Sequence, residues 1–210
     1  INGIGNKVIY SPQQDRWIAV GGGGANTVQT SIDGVQWTSV SGTTFTNYGL
    51  SVTYSAEQDR WVAVGSSGGG FTTIITSTNG TNWIDVNGTK FGTGAGESVE
   101  YSPEQDRWVA VGNDNGGGVY TILTSTNGVD WTGVNGTKFS SNGKRVAYSA
   151  EQDRWVAVGG SDGFDNNTIL TSTNGIDWES VSGAFIAQGY GQSIAYGGGR
   201  WVAVGYNNTG

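Results

Sequence analysis

The chain has 210 residues and a net charge of −7, with 13% of residues charged and 38 of them glycine. Without clustered Lys and Arg this acidic balance argues against nucleic acid as a partner and gives no support to an anionic membrane surface. The absence of Cys and His removes disulfides, thiolate metal sites and the commonest general base and metal ligand, so neither metal nor cofactor is expected.

Along the chain, Ile1 stands where a Met would open a reading frame, which reads as a processed product or a piece of something longer. No apolar run approaches the roughly 18 residues of a membrane helix, so membrane insertion is not expected. From the first strand onward a unit of about 47 residues recurs four times and then by half. Its first anchor is Arg-Trp-Val/Ile-Ala-Val-Gly, at Trp17, Trp61, Trp108, Trp155 and Trp201. Its second is Thr-Ser-x-Asn/Asp-Gly-x-x-Trp, ending at Trp37, Trp83, Trp131 and Trp178. Repeats of this period mark units that cannot bury their faces alone.

The third unit displays the predicted strands in order. Residues 98–102 alternate, 103–106 form a polar turn, and 107–112 place Trp108 and Ala110 on one face and Val109 and Val111 on the other. Residues 120–125 are a third strand and 131–134 a fourth, joined by Asn127-Gly128, which predicts a type I′ turn with two positive φ angles. Four short antiparallel strands predict a blade. The predicted fold is therefore an all-β propeller of about five blades, in one domain. Complete blades are predicted at 8–40, 52–86, 99–134 and 146–181, and a two-stranded half blade at 193–206. The missing outer strands lie outside this chain, come from another chain, or leave a two-stranded blade covered by a partner. Self-association or strand completion at this blade is thus an expected mode of contact.

Strand alternation sorts the connections onto two faces. The turns of one face are nearly invariant among units. The loops of the other differ in length and content, and variable loops on a rigid scaffold are where recognition resides. That face offers Tyr48, Phe71, Asp114, Tyr120, Asp162, Phe164, Asp165, Asn166, Tyr190 and Tyr206 as candidate ligand-binding residues. Aromatics beside Asn and Asp suit a glycan or a protein partner. Residues 113–116 and 161–165 lack the spaced oxygens and closing Glu of a calcium loop.

The repeated arginines read as turn ion pairs with the preceding Asp, or as stems laid over a neighbouring blade. All nine tryptophans are assigned to the core, with the indole N–H on a backbone carbonyl. The non-repeated acids, among them Glu97 and Glu100, show no spacing that nominates a catalytic pair. Arg145 alone among the arginines stands outside the repeat.

Ser31-Ile32-Asp33-Gly34-Val35-Gln36-Trp37 and its counterparts ending at Trp83, Trp131 and Trp178 resemble the Asp-box of bacterial-neuraminidase-type repeats. They keep the Ser, the Asp or Asn, the Gly and the Trp, with one residue fewer before Trp. Similar units occur in viral, phage and bacterial surface proteins. The resemblance implies a propeller, and its hosts include sialidases, other glycosidases, receptors and assembly factors. The expected function is a non-enzymatic surface module, extracellular or on a virus or phage particle, that binds a glycan or a protein. The alternatives are a sialidase-like glycoside hydrolase and an architectural assembly subunit. Sequons at Asn79, Asn87, Asn135, Asn166 and Asn207 agree with an extracellular setting.

Overall fold

The computed structural model describes residues 3–24, 26–113, 120–161, 167–182, 186 and 189–207. Every regular element among them is a strand. Unit one holds Ile4–Ser11, Arg16–Gly22, Val28–Ser31 and Thr38–Ser39. Unit two holds Tyr48–Ser55, Arg60–Ser66, Ile74–Ser77 and Asn82–Asp85. Unit three holds Ala95–Ser102, Arg107–Asn113, Ile122–Ser125 and Asp130–Gly133. Unit four holds Gly143–Ser149, Arg154–Gly159, Ile169–Ser172 and Asp177–Ser180. Unit five has only Gly189–Gly197 and Arg200–Asn207. Strands pair antiparallel in sequence order within each unit: Trp61 sits opposite Tyr54 on one side and Ser77 on the other. The chain is a β-propeller whose last blade is incomplete.

Strand alternation gives each sheet two apolar faces, and successive sheets bury them against each other. Ile18, Val20, Val28 and Phe45 of unit one meet Val52, Trp61, Ala63, Ile75 and Trp83 of unit two. The same contact recurs between units two and three and between three and four. Each buried indole removes about 150–250 Å² from water, worth roughly 4–6 kcal/mol at ~25 cal/mol/Å². Trp61, Trp83, Trp108, Trp131, Trp155 and Trp178 are buried in this way. Trp17, Trp37 and Trp201 are only half-buried, because they belong to the end units, so the assignment of all nine to the core holds for six.

A polar latch joins the units on the invariant face. Gln58 of unit two donates to Asp106 Oδ1 and, at 2.8 Å, to the Thr126 carbonyl of unit three, and accepts from Trp108 Nε1 at 2.9 Å. Gln14 and Gln105 repeat it. The indole N–H of the first anchor thus goes to a glutamine rather than to a backbone carbonyl. The turn aspartates, Asp15, Asp59, Asp106 and Asp153, adopt φ of 45° and accept from the tyrosine five residues earlier. They form no ion pair with the adjacent arginine. The Arg107 stem lies under Gly175 of unit four, and its Nη1 donates to Thr124 Oγ1 at 3.2 Å. Of the two readings of the arginines, the stem over a neighbouring blade is the one observed.

The Asn-Gly turns are not type I′. Gly128 has φ of 67°, while Asn127 is not left-handed. Instead Ser125 Oγ accepts from the Asn127 and Gly128 amides, and Asn127 Oδ1 accepts from the Val129 and Asp130 amides at 2.9 and 2.8 Å. Side-chain oxygens satisfy the turn amides, so a second positive φ is not required. The two-residue turn with paired positive φ occurs in unit five, at Gly198 and Gly199, φ 58° and 75°.

After its fourth strand each of the first three units runs on beside the next. Ser41–Gly42, Asn87–Gly88 and Asn135–Gly136 pair in parallel with residues 82–83, 130–131 and 177–178. The first strands of successive units lie side by side and form the inner wall. Unit five makes no comparable packing with unit one, so the described residues form an open arc and the five units do not close into a ring. Val8 is 52% exposed where its counterparts Val52 and Val99 are fully buried, and Val202 and Val204 are 61% and 56% exposed at the other end.

Candidate functional site

The variable face rests on a recurrent neck. The backbone of Gly21, Gly65, Gly112 and Gly159 donates to the carbonyl of Thr27, Thr73, Thr121 and Thr168, at 3.0–3.1 Å. These threonines are buried, and their hydroxyls bond the backbone of the linker, as Thr27 does at Phe45 and Thr73 at Phe91. The neck pins each loop to the linker that follows it, and what lies beyond the neck is free to differ.

In unit two the loop beyond the neck is itself ordered. Ser67 and Gly70 form a bridge, Ser67 Oγ donates to the Thr72 carbonyl at 2.8 Å, and Thr46 Oγ1 donates to the Ser67 carbonyl at 2.8 Å. Gly68 and Gly69 supply the positive φ angles of the tip, 57° and 101°. This loop presents Phe71 with 67% of its surface exposed. In unit five Tyr206, 49% exposed, stacks on Tyr190 with ring centroids 5.5 Å apart.

The remaining predicted residues divide. Tyr48 lies on Gly22, where an added Cβ would come within 2.1 Å of its ring, and Tyr190 lies likewise on Gly160. Tyr120 covers Gly133 and has Lys138 Nζ 5.2 Å from its ring centroid. Tyr48 and Tyr120 thus pack on glycines, and Phe71 and Tyr206 are the exposed aromatics among the described candidates. Asp114, Asp162, Phe164, Asp165 and Asn166 lie outside the described residues.

A second constellation lies on the inner wall and was not read from the sequence as a group. Lys7, Glu100 and Arg145, from the first strands of units one, three and four, feel one another's charge. Burial holds the Lys7 ammonium below the usual lysine range against the pull of Glu100, and its Nζ donates to Ser51 Oγ at 3.4 Å. Burial raises the Glu100 carboxyl, with Lys7 and Arg145 opposing. The available signal was register: the Lys7 and Arg145 position carries Ser in the other units, at Ser51, Ser98 and Ser193. Chemically the trio is one carboxylate held among two cations, and the neighbouring Glu97 is engaged by Lys144 at 2.9 Å. Among the described residues no three acidic side chains gather as a metal site would require.

No protein-family model matches this chain, and no curated protein sequence does. Its fold is similar to several solved propellers. YCF48 from Cyanidioschyzon merolae is 15% identical with a TM-score of 0.52, over 96% of this chain and 71% of that one. The WD40 beta propeller domain of Doa1 is 14% identical with a TM-score of 0.62, over 97% and 62%. A chain of a nidogen/laminin complex is 9% identical with a TM-score of 0.59, over 96% and 72%. At such identities the likeness speaks for the fold alone.

Proposed function

We propose that this chain is a non-enzymatic binding module that recognises a protein through the loops of its variable face. The observation that carries the reading is Phe71, 67% exposed on a loop that is bridged internally and pinned at its neck. A large aromatic held out on an ordered loop loses little entropy on binding and is the residue type that anchors protein contacts. Tyr206 on Tyr190 adds a second aromatic surface of the same kind. Two of the propellers it resembles in fold are a WD40 domain and a member of a nidogen/laminin complex, which fits a protein partner. The side-chain-capped Ser-x-Asp/Asn-Gly hairpins are consistent with kinship to Asp-box repeats, and with them an extracellular or virus-particle setting belongs to the same reading.

The test compares the chain with a Phe71→Ala/Tyr206→Ala variant on protein and glycan arrays. Protein binding by the native chain, lost in the variant while thermal stability is kept, is the expected result. Binding to glycans alone moves the ligand class. Hydrolysis of a fluorogenic sialoside by the native chain overturns the non-enzymatic reading.

A further inference from the structure

The outer hairpin of unit two departs from its three counterparts at three positions, and the departures meet around one side chain. Asn79-Gly80-Thr81 is a sequon, whereas the position of Thr81 holds Val35, Val129 and Ile176 in units one, three and four. The position of Asn82 holds Gln36, Asp130 and Asp177. The position of Ile84 holds Thr38, Thr132 and Glu179, so unit two alone is aliphatic where the others are polar.

Asn79 is exposed at the turn. Its Oδ1 accepts from the Thr81 and Asn82 amides, both at 2.9 Å, and from the Thr81 hydroxyl at 3.0 Å. Three donors on one oxygen fix which end of the side-chain amide faces the turn, and Nδ2 is left on the outside. In units three and four that nitrogen is engaged: Asn127 Nδ2 donates to Asp130 at 2.8 Å and Asn174 Nδ2 to Asp177 at 2.9 Å. In unit two Asn82 replaces the aspartate, and its Oδ1 accepts from the Ser41 hydroxyl of unit one instead. Asn79 Nδ2 makes no hydrogen bond among the described residues. Beside it runs a groove of about 270 Å³, lined by Asn79, Asn82 and Ile84 together with Arg60, Thr76 and Thr78. Ile84 is 58% exposed there.

We infer that Asn79 is the attachment point of an N-linked glycan whose first sugar lies in this groove over Ile84. Nδ2 bonds to the anomeric carbon of a glycosyl pyrophosphate. The anomeric C–O bond breaks, the pyrophosphate leaves with the electron pair, and one Nδ2 proton passes to the base of the transferase. Thr81 supplies the hydroxyl that defines the acceptor. The linkage costs the turn no hydrogen bond, because the turn uses Oδ1 alone. The C–H face of the sugar ring covers Ile84 and takes its exposed surface out of water. Asn87, another sequon, differs in that its Nδ2 already donates to Asp130 Oδ1 at 3.2 Å. The hairpin lies on the face of the glutamine latches, where Gln14 donates to the Thr78 carbonyl at 2.8 Å, so the glycan leaves the variable loops free. The inference rests on the extracellular setting proposed above and not on which ligand those loops take.

The test secretes the full chain from eukaryotic cells behind a cleavable leader and reads each sequon by peptide mass spectrometry. A glycan on Asn79 of the folded product is the expected result. Thr81→Val installs the residue of units one and three and leaves both backbone caps on Oδ1, so it is expected to abolish the glycan without unfolding the chain. The secreted chain, trimmed to a single sugar, is then compared with the same chain made bare in bacteria. The sugar is expected to raise the denaturant midpoint, and Ile84→Thr to erase that gain. An unoccupied Asn79 in the folded secreted chain overturns the proposal. So does a midpoint gain that is absent or that survives Ile84→Thr, since the sugar then does not lie on Ile84. Binding by the variable loops is measured on the bare bacterial chain, so the two readings fail separately.

Discussion

Gln58 reaches three partners on the following unit: the Asp106 carboxylate, the Thr126 carbonyl and the Trp108 indole. Trp108 is fully buried, so Gln58→Ala strands its N–H in an apolar core. The expected loss is about 1–3 kcal/mol, measured by denaturant unfolding. The repetition of Gln14, Gln58, Gln105 and Gln152 was visible in the sequence, but their role was not, because each partner set lies about one repeat further along the chain. The turn aspartates add a pH dependence. Tyr and Gln donors hold Asp59, Asp106 and Asp153 below the usual carboxylate range. Their stabilisation is present above the unfolded carboxylate pKa and is lost as pH falls through that range. On the alkaline side, burial raises the Tyr101 and Tyr148 phenols from 10.0 to about 12. The stabilisation from these phenols is complete below pH 10 and is lost as pH rises through about 12. Phenolate absorbance and loss of structure should therefore rise together in that window, and Tyr101→Phe should shrink the pH dependence.

At the scale of the element, the hairpin before each second-anchor tryptophan separates local strain from inter-unit contact. Gly34 and Gly128 both have positive φ, 72° and 67°. An added Cβ at Gly34 meets nothing closer than Trp17 Nε1 at 3.6 Å, whereas at Gly128 it comes within 2.7 Å of Arg60 Cδ. Gly34→Ala should cost about 1 kcal/mol of backbone strain and Gly128→Ala roughly 2–4 kcal/mol, strain plus clash, both read from denaturant midpoints. Equal costs would mean that the Arg60 stem does not lie under the unit-three hairpin. The Asn-Gly pair announced these hairpins from the sequence. Its turn type was misread because the rule for two-residue hairpins concerns backbone alone, while here Ser125 Oγ and Asn127 Oδ1 cap the amides. The candidate site divides in the same manner. Phe71 and Tyr206 are exposed, while Tyr48 packs on Gly22 of the preceding unit and Tyr120 on Gly133 of its own.

Across the whole molecule, the repeat made the blades legible because one interface is written four times. Its incompleteness was legible by the same count. Whether the units close was not legible, since curvature is set by how sheets stack and the sequence of one unit carries no record of it. Among the described residues unit five does not pack on unit one, and Val8 is exposed at one end and Val202 and Val204 at the other. The Trp201 to Val204 run pairs on one side only among the described residues, with the first strand of unit five. Hydrogen–deuterium exchange resolved to single amides across residues 201–204 tests it most directly, with residues 155–158 as the internal reference. The unpaired amides of the 201–204 run should exchange orders of magnitude faster than their counterparts, which bond a third strand. Equal protection of the two segments in the bare monomeric chain would contradict the account.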